Sequence, residues 1–269
     1  MEQQTIVLPK IHASIILTQL NIKDGLKAYG NTGDEAILKE VKQLHTRQAL
    51  IPHIRNEMSH EERRKALKYL MFLKEKRNGT IKARGCADNR PQRVWPNKEE
   101  TGLPKISIEA MMLSCAIDAK ENRYIVVSDI QVAFLHADMD NNVHMLSEGT
   151  VTEMIIKLNP TIYRKNIWYN KLGKPMVYVQ LKQVLYGTLQ AALFFWKLLS
   201  ETLQEWGLTL NPYNKCLANK DIEGKQCAII WHFDNLKISH VSKEDVQTWK
   251  RKSTDDMLWK SSGILRHEN

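Results

Sequence analysis

The sequence predicts a protein of mixed α and β class, on three observations. Residues 227–240 read CAIIWHFDNLKISH, two apolar-rich runs around Asp234-Asn235. That is the pattern of a tight β-hairpin with an acid at its tip. Leu189 to Trp206 places Leu189, Leu193, Trp196, Leu199, Leu203 and Trp206 on one helical face, with Lys197, Glu201 and Gln204 elsewhere. Tyr124 to Val127 is a short apolar run that reads as a buried strand, and Asp129 stands at its end.

The other elements follow in chain order. Residues 1–31 are poorly patterned and read as a loose arm. Asp34 to Leu50 carries Ile37, Val41 and Leu44 at helical spacing and stops before Pro52. Ser59 and Glu62 form a capping-box pattern that opens a helix expected to run to Arg77, where Asn78-Gly79 ends it. Thr80 to Arg84 is an extended basic segment, and residues 85–100 are a loop containing Pro91 and Pro96. Ser107 caps a helix through Ala119 with Ile108, Met111, Met112, Cys115, Ala116 and Ala119 facing inward; its methionines read as core filler. Residues 138–142 are a turn, 150–174 an irregular excursion ending in a turn at Asn170–Lys174, and Val177 to Leu181 a strand. Gly207 ends the Leu189–Trp206 helix. A polar helix begins near Ser242 and leads into a frayed tail.

Composition narrows the class. The chain has 269 residues, 43% hydrophobic and 26% charged, which fits a globular protein with a sizeable core. No apolar run approaches membrane-spanning length and the N-terminus has no basic-then-apolar signal pattern. The expectation is a protein that is not secreted and works in the cytoplasm or nucleus. Cys86, Cys115, Cys216 and Cys227 are widely spaced, which fits reduced thiols rather than a disulfide framework or a zinc site. The net charge of +9 is uneven: residues 1–105 hold 20 Lys and Arg against 12 Asp and Glu, while residues 106–269 hold 19 against 18. Within 63–93 stand 11 basic residues and two acids, Glu75 and Asp88. Such concentration suits a phosphate-contacting surface, or else a solvated face.

Two acids carry the candidate chemistry. An acid ending an apolar strand is costly unless it is paired, capped or bound to a metal. Asp129 and Asp234 also suit ordinary capping and turn duties. If their strands were sheet neighbours, the two carboxylates could share divalent metal ions, as nucleotidyl transfer requires. His136 and His144 have no third ligand at diagnostic spacing.

Four stretches in order carry a family resemblance. They are Lys82-Ala83-Arg84-Gly85-Cys86-Ala87, Asp129 with Ala133-Phe134-Leu135-His136, Leu185-Tyr186-Gly187-Thr188-Leu189-Gln190-Ala191 with Trp196 downstream, and Phe233-Asp234-Asn235. Together they resemble the reverse transcriptase of Ty1/copia-type retrotransposons over roughly residues 15–242. The resemblance implies an α+β fingers-and-palm polymerase fold, with helices packed on a small antiparallel sheet. Its division would be a loose arm at 1–31, fingers and palm at 32–242, and a polar helical tail at 243–269. The family's thumb and RNase H parts are expected to be absent from this sequence.

The implied function is RNA-directed DNA synthesis on an RNA template and DNA primer with deoxynucleoside triphosphates and two Mg2+ ions. Asp129 and Asp234 match the metal-bridging carboxylates. Asn235 stands where the family has a third carboxylate, so activity is expected to be impaired. Phe134 matches the aromatic that excludes a ribose 2′-hydroxyl, and Gln190 the glutamine that contacts the incoming nucleotide. Lys82 and Arg84 match residues that hold the triphosphate, although Gly85 and Cys86 replace the family's apolar continuation. The alternative is a catalytically silent remnant that binds nucleic acid through its basic surface.

Overall fold

The computed structural model describes residues 19–90, 103–139, 142–188 and 190–256. The first half of the chain runs β1 (Leu20–Asn21), α1 (Ile22–Thr46), β2 (Leu50–His53), α2 (His60–Lys65), β3 (Leu67–Glu75), β4 (Ile81–Ala87), α3 (Ile108–Lys120) and β5 (Tyr124–Asp129). It continues β6 (His144–Glu148), α4 (Thr150–Leu158), α5 (Pro160–Tyr163), β7 (Trp168–Tyr169), β8 (Pro175–Leu181) and α6 (Ala191–Glu205). The last elements are β9 (Thr209–Leu210), β10 (Leu217–Ile222), β11 (Lys225–His232), β12 (Asn235–His240) and α7 (Lys243–Arg251). The chain is α+β, with two sheets. One has the order β1-β3-β6-β8-β2, with β4 added on β3 and β7 on β8; the other has the order β5-β12-β11-β10-β9. No helix of the described residues is long and apolar enough to cross a membrane.

In the first sheet, strict alternation decides the structure of β3. Leu67, Tyr69, Met71 and Leu73 are buried and the residues between them are not, a period of two. The helix expected from Ser59 to Arg77 is therefore only one short turn-and-a-half, α2. Its capping box is real: Ser59 Oγ accepts from Glu62 N–H and Glu62 accepts from Ser59 N–H. The cap starts a helix but the alternating run behind it cannot continue one. Asn78-Gly79 serves instead as the turn between β3 and β4, with Gly79 at φ +77°. Helix α1 lays Ile37, Val41 and Leu44 on the buried face of this sheet, as their spacing predicts. It also reaches back to Ile22, broken at Gly30, so residues 22–31 are helical and not part of a loose arm. Residues 1–18 lie outside the described residues. The excursion over 150–174 is likewise ordered, as α4, α5 and β7.

The second sheet is built on the expected hairpin. Strands β11 and β12 pair antiparallel with His232 opposite Asn235, leaving Phe233 and Asp234 as the turn. One face carries Ile229, Trp231, Leu236 and Ile238, packed by Phe195, Leu199 and Leu203 of α6 and by Val246 and Trp249 of α7. The expected face of α6 is shifted by a residue: Phe195 is buried, whereas Trp196 is half-buried and donates from Nε1 to the Lys215 carbonyl at 3.1 Å. Leu189 falls outside the described residues.

Two sequence expectations fail on this sheet. Strand β5 is an edge strand, so Tyr124, Ile125 and Val127 are not buried; Val127 is 68% exposed. Helix α3 begins at the expected cap, with Ser107 Oγ accepting from Ala110 N–H. Its inward face, however, is polar. Ser114 and Asp118 are buried, while Ile108 and Met112 are 74% and 65% exposed. The reason is Lys237, which projects from the centre of β12 and donates to both Asp118 and Ser114. A largely buried ammonium needs a carboxylate partner, and that requirement outweighs the apolar residues in setting the rotation of α3.

Candidate functional site

The candidate site forms where β5, the β11–β12 turn and the first sheet come together. Strand β12 pairs antiparallel with β5, and the register sets Asn235 opposite Asp129. Beyond that pair, Ile130 N–H donates to the Asp234 carbonyl at 2.8 Å. Two acids far apart in sequence thus come to one end of the sheet, Asp129 at the end of β5 and Asp234 in the turn that leads into β12. Asp129 is exposed and Asp234 half-buried. Near each acid in the chain is a residue in left-handed backbone: Val132, three residues after Asp129, at φ +52°, and Phe233, just before Asp234, at φ +55°. Neither is glycine, and each such conformation costs about 1–3 kcal/mol. Val132 sits at the start of the one-turn 3-10 segment Ala133–His136.

The third side of the site comes from the loop before α6. Tyr186 Oη donates to Asp234 Oδ2 at 3.4 Å. Its carbonyl accepts from Ala87 N–H at 2.7 Å, which ties it to the end of β4. The Arg84 guanidinium lies over its ring at 5.0 Å, and the Phe134 ring meets it edge-on at 4.3 Å. Gly187 follows at φ +89°, and any Cβ there would collide with the Ala87 carbonyl. Glycine is therefore needed for both its conformation and its close approach. Burial, and then the adjacent Asp234 carboxylate, push the Tyr186 phenol up to about 12, so it remains a donor.

Arg84 belongs to a basic face. Lys74 lies directly opposite Lys82, and Phe72 opposite Arg84, across the β3–β4 pair. Like charges directly opposed in a sheet are destabilising. The reverse face of β4 is tightly packed. Gly85 leaves no room for a side chain because the Tyr69 hydroxyl lies against it, and Gly85 N–H donates to Glu40 on α1 at 3.0 Å. The unusual Gly85 of the sequence thus has a packing reason.

The sequence-derived residues divide into two sets. Asn235 stands opposite Asp129 in the register and bonds to Asp234, and Arg84 reaches Asp234 through Tyr186. Lys82 lies two residues along the same exposed side of β4. Phe134 is only 6% exposed, packed between Tyr186 and Phe195 as a core aromatic beside the site. Gln190 is the residue preceding α6, where its carbonyl accepts from Phe194 N–H at 3.0 Å. Tyr186 was not singled out from the sequence. Its place in the Leu185-Tyr186-Gly187 stretch was the available signal.

The donor set suits one hard divalent cation. Magnesium takes oxygen ligands and is commonly held by one or two carboxylates, with water and substrate phosphates completing its shell. Asp129 and Asp234 meet that requirement. A second cation would depend on position 235, where the amide supplies no charge and its Nδ2 is turned onto Asp234 Oδ1 at 2.9 Å. Among the described residues no cluster of three or more His, Cys, Asp or Glu is arranged to hold a metal. No protein-family model matches the chain, and no curated protein matches it.

Proposed function

We propose that this chain is a polymerase module of the reverse-transcriptase type, built for RNA-directed DNA synthesis and impaired at its acid pair. In this reading the basic β3–β4 hairpin belongs to the fingers and the β5-β12-β11-β10-β9 sheet is the palm. The observation that carries the reading is the register of β5 against β12, which puts Asp129 beside Asp234. The basic face of β3 and β4, which reaches that pair through Arg84 and Tyr186, supports it.

The reaction joins a primer 3′-oxygen to the α-phosphorus of a deoxynucleoside triphosphate and expels pyrophosphate. Divalent cations, when bound, activate the attacking oxygen and neutralise the leaving group. Asp129 and Asp234 would hold them. Lys82 and Arg84 are placed to bind the triphosphate, and a guanidinium does so with a fork of donors. Lys74 and the cations around it would bind the backbone of an RNA template and DNA primer, a contact that positions without reading sequence. Phe134, packed under Tyr186, would support the floor of the nucleotide site, and Gln190 stands at the helix start nearby.

A second reading is favoured by one observation, the turn of the Asn235 amide onto Asp234. In that reading the chain is a silent remnant that retains only nucleic-acid binding. Primer extension on poly(rA)–oligo(dT) with magnesium or manganese separates the two. The parent is expected to extend weakly, Asn235→Asp to extend at least about tenfold better, a gain equivalent to about 1.4 kcal/mol of transition-state stabilisation, and Asp129→Ala not at all. Extension by the parent equal to that of Asn235→Asp would refute impairment. No extension by any form would leave the binding remnant as the function.

A further inference from the structure

The oxygens of Asp234 are already engaged. Asn235 Nδ2 donates to Oδ1 at 2.9 Å, and Tyr186 Oη donates to Oδ2 at 3.4 Å. The Asp234 carbonyl is taken as well, by Ile130 N–H. We infer that Asn235 and Tyr186 form a cap on the Asp234 carboxylate, and that this cap, beyond the missing charge at 235, weakens the hold of the acid pair on a divalent cation. The inference rests on the proposed reading of Asp129 and Asp234 as metal ligands.

The geometry makes the cap a fixed structure rather than a passing contact. Tyr186 is held at four points: its carbonyl by Ala87, its ring by Phe134 and Arg84, and its hydroxyl by Asp234. Gly187 locks the backbone that presents it. Asn235 is the first residue of β12, pinned by pairing to His232 on one side and Asp129 on the other. A neutral amide beside a carboxylate is stable only with its N–H turned inward, because two acceptor oxygens would repel. An aspartate at 235 has no N–H to give. Asn235 therefore does two things at once: it removes a negative charge and adds a donor that competes with a cation for Oδ1. A hydrogen bond to a charged group is among the stronger ones, so displacing it has a measurable cost.

The two effects are separable by a substitution that has neither charge nor donor. If charge alone matters, Asn235→Ala binds a cation no better than the parent, and less well if the amide carbonyl was a ligand. If the cap matters, Asn235→Ala binds better. Tyr186→Phe makes the same distinction on the other oxygen, since it keeps the ring under Arg84 and removes only the hydroxyl.

The experiment is a Mn2+ titration of the full chain, with free Mn2+ measured by electron paramagnetic resonance. The forms compared are the parent, Asn235→Ala, Tyr186→Phe, the double variant, Asn235→Asp and Asp129→Ala. Unfolding midpoints are measured alongside to show that each form is folded. Asn235→Ala and Tyr186→Phe are each expected to tighten Mn2+ binding by about two- to tenfold, the range for one net hydrogen bond. The double variant is expected to exceed either, and Asp129→Ala to weaken binding. Tighter binding by Asn235→Asp with none by Asn235→Ala or Tyr186→Phe would overturn the cap and leave the metal reading intact. If Asn235→Asp and Asp129→Ala both bound Mn2+ like the parent, the acid pair would not be a metal site and both would fall.

Discussion

The two sheets treat charge in opposite ways. On the first, cations are gathered on one exposed face, and Lys74 and Lys82 are set directly across from each other. On the second, the cation of β12, Lys237, is largely but not fully buried and is matched internally by Asp118 and Ser114. A charge that is satisfied within the fold holds the fold together. Charges set against one another at a surface weaken it slightly and call for an anion from outside. The difference fits a structural role for the second sheet's ion pair, while the first sheet's face carries the proposed binding of nucleic acid.

The largest effect is expected from breaking the internal pair. Asp118→Ala leaves an uncompensated buried ammonium and should cost about 3–5 kcal/mol, read by denaturant unfolding. The cost is not the worth of the pair itself. Asp118→Leu combined with Lys237→Met, which removes both charges and fills the space, is expected to be close to neutral. Asp118 Oδ1 has no partner among the described residues, which strengthens that expectation, since the pair is not fully satisfied. A small loss in Asp118→Ala would mean that Lys237 swings out to water and that α3 is held by other contacts.

The comparison also shows which parts of the molecule the sequence displayed. The β11–β12 hairpin, α6 and the core stripe of α1 were legible because each has a period that matches its structure and a clear stop. β3 is hard to see in sequence because a true capping box precedes it, and that helix signal masks the alternation of Leu67, Tyr69, Met71 and Leu73. α3 is apolar on nearly every side, so its spacing does not select a face. The face was selected by Lys237, a cation between the buried Leu236 and Ile238, whose own sequence neighbourhood names no partner. At the site, Asp129 and Asp234 could be named from the order of the stretches, but not the register that joins them. Asn235 was legible as a missing charge. That its amide turns onto Asp234, and that Tyr186 does the same from 48 residues upstream, depends on contacts between elements that no local pattern encodes.

On the first sheet the comparison predicts two effects of opposite sign from one substitution. Lys82→Ala removes half of an opposed pair, so the unfolding midpoint should rise slightly. If Lys82 contacts phosphate as proposed, the same change removes that contact, and affinity for an RNA–DNA hybrid should fall at low salt. The slope of log affinity against log salt should shrink by about one. Titration at several salt concentrations measures both the affinity and the slope. If Lys82→Ala lowered stability and left the slope unchanged, the face would be structural and the contrast between the sheets would fail.

The smallest effect concerns Glu40, a carboxylate behind the basic face. Glu40 on α1 is half-buried and accepts from Gly85 N–H, with Lys82 and Arg84 close enough to attract it. Burial outweighs that hydrogen bond and those cations, and raises the Glu40 carboxyl above the ordinary glutamate range. A carboxyl raised in the folded state binds protons more tightly there than in the unfolded chain. Its contribution to stability is therefore fully present below the unfolded value, near 4.5, and is lost as pH rises through the higher folded value. Glu40→Gln keeps an oxygen for Gly85 N–H and removes the charge that burial disfavours. At pH 4 the variant and the parent should unfold at the same denaturant concentration. At pH 7 the variant should be the more stable by a small margin, and its stability should vary less over the interval between. If Glu40→Gln were instead less stable at pH 7, the attraction of Lys82 and Arg84 would outweigh burial. The basic face would then be partly neutralised from within, as the second sheet is, and the difference between the two sheets would be one of degree.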